Sequence, residues 1–247
     1  MEKVDEDFST GGLAPGGSGR FPWTLMYHSV ARDEDDPYLI TVSPRRFRQQ
    51  IRWLAARGLR GVGVGALMRA HALGRARGLV GLSFDDGYRD FAEQAVPVLE
   101  EYGFTATVYV VAGKLSGHND WDREGPRKAL MSPRQVREVA AAGLEIGSHG
   151  LTHRRLAGLG RRELVAQVAD SRAALQDVTG EEVAGFCYPY GSYDRAAAEA
   201  VGEAGYGYAC ATGRGGDDRL ALPRCYVGQR DGAVRLAVKR GLHRWRS

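Results

Sequence analysis

The chain has 247 residues, 43% of them hydrophobic and 26% charged, with a formal net charge of +4. These values are ordinary for a globular protein and exclude a disordered or fibrous chain; the length suits one large domain or two small ones, with a sizeable core. The positive balance comes from scattered arginines rather than a block of like charges, which argues against a nucleic-acid tail, and no apolar run reaches the ~18 residues of a membrane span.

Residues 1–20 are acidic and then rich in Gly, Ser and Pro. No apolar stretch follows a basic start, so they read as a flexible tail and not a signal peptide, and a cytoplasmic location is expected. Phe21 to Val30 reads as the first strand, with His28 near its end. Ser43 to Gly58 predicts a helix: Ser43 caps it, Pro44 suits the first turn, and Phe47, Ile51 and Leu54 repeat at helical spacing. A second helical piece is expected around Met68 to Leu73. The run from Leu79 to Phe84 reads as a short buried strand that ends in Asp85, Asp86 and Gly87. A helix follows, with Phe91, Ala95, Val98 and Leu99 on one face, and Pro97 should bend or divide it. Phe104 to Val111, rich in β-branched and aromatic residues, reads as a strand.

The loop from Ala112 to Met131 is long, as functional loops often are. Its Trp121 can stack on a sugar face or lid the core. Ser132 and Pro133 open another helix, closed by Gly143. A strand at 144–147 leads to His149 and His153. A long helix from about Gly160 to Val178 precedes a strand at 183–188, which ends in Pro189, Tyr190 and Gly191. Asp194 caps a short helix to Ala204, and strands are expected at 206–211 and 220–227. About seven strands alternating with helices imply a parallel β/α architecture. No internal repeat or second domain is visible, so 21–247 reads as one domain. The three cysteines, Cys187, Cys210 and Cys225, lack CxxC spacing. They read as reduced thiols, with Cys187 and Cys210 as small core residues.

Two adjacent carboxylates at a strand end are costly to bury unless something positive lies beside them. The plain reading is a helix cap followed by a solvated Asp. The histidine pair changes that: two His four apart can face one side of a helical turn or close a loop around a cation. An Asp with two His is a candidate open metal site, three protein ligands with room for water.

SFDDG followed by GSHGLTH, and then FCYPYG from Phe186 to Gly191, resembles the polysaccharide deacetylases, carbohydrate esterase family 4, from about Trp23 onward. The resemblance implies a distorted (β/α) barrel of about seven parallel strands. It also implies a hydrolase that removes the N-acetyl group from an N-acetylhexosamine-containing glycan or glycoside. Carried over, Asp85 is the general base, and Asp86, His149 and His153 hold a divalent metal, Zn²⁺ first with Co²⁺ and Ni²⁺ open. Pro189 and Tyr190 belong to the substrate site, the Tyr190 N–H stabilising the oxyanion, and Trp121 joins them as a candidate sugar contact. The family's usual C-terminal Leu-x-His is missing. Met26-Tyr27-His28 instead looks like the segment that a permuted branch carries first, which makes His28 the general acid, although a lone His beside a Tyr is usually structural.

Two departures stand out. Cys187 occupies the place of an Arg that orients the base, and a thiol supplies no permanent charge; Arg224 in the last strand is the substitute candidate. Gly150 stands where Ser or Thr is common. The alternatives are a hydrolase of another amide or imide on the same scaffold, or a catalytically silent carbohydrate-binding protein. The expected partner is an N-acetylated sugar or glycoside, with no nucleic acid and no integral membrane segment; the oligomeric state stays open.

Overall fold

A computed structural model describes residues 21–32, 35–212 and 218–245. The tail read at 1–20 lies outside the described residues. The elements in chain order are β1 (Thr24–Tyr27), β2 (Ser29–Val30), β3 (Thr41–Val42), α1 (Pro44–Ala55), β4 (Arg60–Val62), α2 (Val64–Ala72) and β5 (Leu79–Phe84). A π-turn (Phe91–Ala95) leads into α3 (Val96–Glu101), then β6 (Thr107–Val110), α4 (Pro133–Ala141), β7 (Glu145–Ser148) and α5 (Arg161–Thr179). The chain continues with β8 (Gly185–Cys187), α6 (Arg195–Glu203), β9 (Tyr208–Cys210), β10 (Cys225–Tyr226) and α7 (Ala233–Trp245).

One all-parallel sheet runs β10-β1-β5-β6-β7-β8-β9 among the described residues, with β4 also paired to β5. Gly81 of β5 pairs with Thr24 on one edge and Val62 on the other, while Ser83 and Phe84 pair with β6. So β4 and β6 share successive halves of one edge, and seven positions run around the sheet. The ends approach each other through one segment: Leu222 bridges to Cys210 of β9, and Cys225 and Tyr226 pair with β1. The expected distorted β/α barrel of about seven strands is what forms.

Local sequence accounts for most boundaries. Ser43 caps α1 by accepting from the Arg46 N–H, and Ser132 with Gln135 forms a full capping box on α4. Pro97 divides the helix after β5 as expected. It has no N–H to donate, and the Val96 N–H just before it reaches five residues back to the Phe91 carbonyl in a wider turn. The expected first strand, Phe21 to Val30, is broken in two at His28. Asp90 captures the next two residues, accepting from Ser29 Oγ at 2.6 Å and from the Val30 N–H at 2.9 Å. That pulls them off the sheet to pair with Thr41 and Val42 instead. The second helix starts at Val64, four residues before the expected piece, and α7 lies in a stretch for which no element was expected.

The core beneath the site is aromatic. Phe84 is fully buried and lies 5.1 Å from the Tyr27 ring, 5.7 Å from Phe47 and 4.7 Å from Phe91. It joins β1, β5, α1 and the π-turn directly below Asp85. Phe84→Ala should therefore lower unfolding free energy by about 3–5 kcal/mol, measured as a shift in the urea midpoint without a change in slope.

Candidate active site

Asp85 and Asp86 emerge where β5 ends. The Asp85 N–H still donates to the Tyr27 carbonyl, which holds its backbone in register with the end of β1. Asp86 then turns with φ 72° and Gly87 with φ 72°. A Cβ on Gly87 would press on Val110 at 3.2–3.3 Å, so this position needs glycine on both counts. Both aspartates are buried.

Arg224 answers the question of charge. Its Nη1 donates to Asp85 Oδ1 at 2.6 Å and its Nη2 to Oδ2 at 2.8 Å, a two-pronged pair that a lysine could not make. The guanidinium also donates to Ser83 Oγ at 3.1 Å, to the Ala211 carbonyl at 3.2 Å and to Cys187 Sγ at 3.0 Å. Burial by itself would raise the Asp85 carboxyl; the charge and hydrogen bonds of Arg224 outweigh it and hold Asp85 below the usual carboxylate value. Burial pushes the Cys187 thiol well above its ordinary value, so it stays neutral beside the ion pair. Cys187 is thus a core residue, as read, and it also lines the Asp85 pocket.

Asp86 meets the histidines. His149 follows β7, and its Nδ1 is 2.8 Å from the Cys187 carbonyl, which sets Nδ1 as the protonated nitrogen and leaves Nε2 with a lone pair. His153 lies four residues on in a loop, not a helical turn, with φ 60°. His149 Nε2 is 3.4 Å and His153 Nε2 3.2 Å from Asp86 Oδ1. Asp86 Oδ1 is buried and has no hydrogen-bond partner among the described residues. The three ligand atoms lie within 4.8 Å of one another. Metal–ligand bonds of about 2.0–2.2 Å would set neighbouring ligand atoms roughly 3.4 Å apart in a tetrahedral site. An orphaned buried carboxylate oxygen facing two imidazole nitrogens at that spacing fits a divalent cation.

The remaining sequence candidates gather around this group. His28 Nε2 is 3.8 Å from Asp85 Oδ2, and its Nδ1 is buried without a partner among the described residues. Trp121 stacks on the His153 ring, centroids 4.3 Å apart and planes 29° apart, with its Nε1 also buried and unpartnered among the described residues. Tyr190 packs its ring 4.6 Å from His153 and stays 43% exposed, while Pro189 is buried in the turn beneath it. His118 pairs with Arg127 and stays apart from the group.

Some residues in the site were not singled out from sequence. Asp122 accepts from Tyr88 Oη at 3.1 Å and from Asn119 Nδ2 at 3.3 Å, which pins the loop that carries Trp121. Their signal was the polar cluster around Trp121 itself. Arg155 lies over the Tyr190 ring at 4.2 Å. Gly150 has φ 77°, where a Ser or Thr would be strained, and Ser148 Oγ accepts its N–H.

The fold and site define a parallel β/α barrel whose strand ends bring a paired Asp, a second Asp and two His to one place. The chain belongs to the polysaccharide deacetylase family, whose model matches residues 74–209. YxkH of Bacillus subtilis (strain 168), whose name places it among polysaccharide deacetylases, is 29% identical over 184 residues, covering 74% of this chain and 61% of its own. The poly-beta-1,6-N-acetyl-D-glucosamine N-deacetylase of Escherichia coli (strain K12) is 28% identical over 142 residues, 52% of this chain and 21% of its own. The chain thus spans about three fifths of the first relative's length and about a fifth of the second's. In structure it resembles the Streptococcus pyogenes deacetylase PplD, solved in complex with acetate, with a TM-score of 0.76 and 22% identity over 88% of this chain and 96% of that one.

Arg224→Ala would leave Asp85 as a buried unpaired charge, with an expected loss of about 3–5 kcal/mol of stability. The double variant with Asp85→Asn should lose much less than the sum of the two single changes, checked by urea unfolding of all four proteins.

Proposed function

We propose that the protein is a metal-dependent hydrolase that removes the N-acetyl group from an N-acetylhexosamine-containing glycan or glycoside, releasing acetate. The observation that carries this reading is the division of labour between adjacent carboxylates. Asp86 faces two imidazole nitrogens, whereas Asp85 is turned away onto Arg224 and left unligated. Family membership and the N-deacetylase named among the relatives support the reaction class.

Asp86, His149 and His153 would hold the divalent ion, and their N and O donors suit Zn²⁺, Co²⁺ or Ni²⁺. Such an ion, when bound, supplies Lewis-acid polarisation of the acetyl carbonyl and eases deprotonation of water. Asp85, oriented by the Arg224 fork, takes the proton from the attacking water. Arg224 keeps Asp85 ionised and fixes its plane, so it is a positioning residue. The Tyr190 N–H, at its left-handed turn beside His153, stabilises the oxyanion as the carbonyl carbon becomes tetrahedral. His28 gives a proton to the nitrogen as the C–N bond breaks, so the sugar leaves as an amine and acetate remains. Trp121, flat against His153, offers the edge and free part of its ring to a sugar. Pro189 holds the floor of that subsite.

The test is acetate release from N-acetylated sugars, oligosaccharides and glycosides, using metal-stripped protein with and without Zn²⁺ or Co²⁺. Release should require the metal. Asp85→Asn and His28→Gln should each lower turnover by about 10²–10⁴-fold with bound metal unchanged. His149→Ala should lose the metal itself, read by elemental analysis. No release from any sugar by metal-loaded protein would reject the carbohydrate substrate, and full turnover in His28→Gln would reject the general acid. Arg224→Ala should depress turnover with the metal retained.

A further inference from the structure

Seven of the chain's 30 arginines lie on two helices that the fold packs together. α1 carries Arg45, Arg46, Arg48 and Arg52, and α7 carries Arg235, Lys239, Arg240 and Arg244. Neither helix contains an Asp or Glu, and the two helices pack against each other. These eight cations exceed the net charge of +4, so the rest of the chain is net negative. Among the described residues, Glu101 pairs with Arg48, and Asp231 pairs with Lys239 at 2.7 Å. Arg45, Arg52 and Arg235 stay exposed. A cleft of about 360 Å³ lies between the helices, its lining including Arg46, Arg52, Trp53, Arg57, Asp231 and Leu236.

α7 has a second property. Leu236 is its buried anchor, 1% exposed, while Val234, Val238 and Leu242 are 78%, 56% and 48% exposed. They stand at i, i+4 and i+8, so they form one apolar stripe along the outer side of the helix. An apolar stripe flanked by cations is the pattern of a helix that lies in a membrane interface. A soluble polyanion would satisfy the arginines and leave the stripe in water; an anionic bilayer takes both, phosphates against the cations and the acyl boundary against the stripe.

We propose that the α1–α7 face docks the protein on an anionic phospholipid surface, with α7 lying in the interface plane. The docking face is distinct from the strand-end site, and its test does not depend on hydrolysis.

The experiment is vesicle flotation of the full chain with phosphatidylcholine vesicles and with equal mixtures of phosphatidylcholine and phosphatidylglycerol. Binding to the anionic vesicles alone, weakened by added salt, is expected. Substituting Arg45, Arg52 and Arg235 together by Gln should reduce partitioning about 100-fold, at about fivefold per cation. Val238→Asp with Leu242→Asp should also abolish flotation, with an unchanged melting curve because both residues are exposed. Failure to float on anionic vesicles overturns the proposal, as does equal flotation on neutral ones. Full binding by the double Asp variant rejects the docking helix. A dimer in light scattering that the double Asp variant dissolves, without vesicle binding, would reassign the face to a second copy of the chain.

Discussion

A guanidinium buried in the barrel is the constraint around which the site is built. Arg224 cannot give up its charge, and no water is needed to satisfy it, because the protein supplies every partner. It bonds both oxygens of Asp85, the Ser83 hydroxyl, the Ala211 carbonyl and the Cys187 sulfur, and it lies over the Tyr109 ring. Those partners come from β5, β6, β8 and the end of β9. A charge that is expensive to bury thus ties the strand ends together, and breaking one side of the pair would strand the other. The neutral thiol of Cys187 fits this scheme. A second cation at that position would crowd Arg224, whereas a small sulfur fills the space and accepts a weak bond.

Around this pair the backbone is held in conformations that side chains disfavour. Asp86, His153 and Tyr190 all have left-handed φ, three of the five non-glycine residues that do so among the described residues. Each costs on the order of 1–3 kcal/mol and persists only where its surroundings over-determine it. The surroundings are visible: the β5 ladder beneath Asp86, Trp121 and Tyr190 packed against the His153 ring, and the Asp122 bonds that hold the Trp121 loop. The strain lies where side-chain direction matters, and the rigid aromatic floor of Phe84, Tyr27 and Phe91 carries it.

Much of this was legible in the sequence, and the reasons divide cleanly. The Leu79–Phe84 strand, the capped helices at Ser43 and Ser132 and the alternation of strand with helix are local signals, and the structure follows them. The nearness of Asp86 to His149 and His153 was inferred from two short motifs at strand ends, since parallel strands present their C-terminal ends to one place. Arg224 was suggested only through the family resemblance, because Cys187 stands where the family carries a base-orienting Arg; no local pattern marks a residue 139 positions away. The break at His28 depends on Asp90, sixty residues on, and was invisible for the same reason. α7 escaped notice because its apolar residues do not share one face: Leu236 points inward and Val234, Val238 and Leu242 outward, so no single buried stripe appears.

The way the barrel is joined makes the site a late product of folding. The segment that pairs with β1 lies some two hundred residues downstream, and the same segment delivers Arg224. Contacts of such sequence separation carry a large loop-closure entropy and form after local ones. Until that last strand docks, Asp85 faces no counter-charge and has every reason to remain in water. A ribosome-bound chain that already holds β5, β7 and both histidines therefore lacks an oriented Asp85. Orientation of Asp85 therefore waits on closure of the barrel, and the ion pair acts as a latch between the middle of the chain and its last strand.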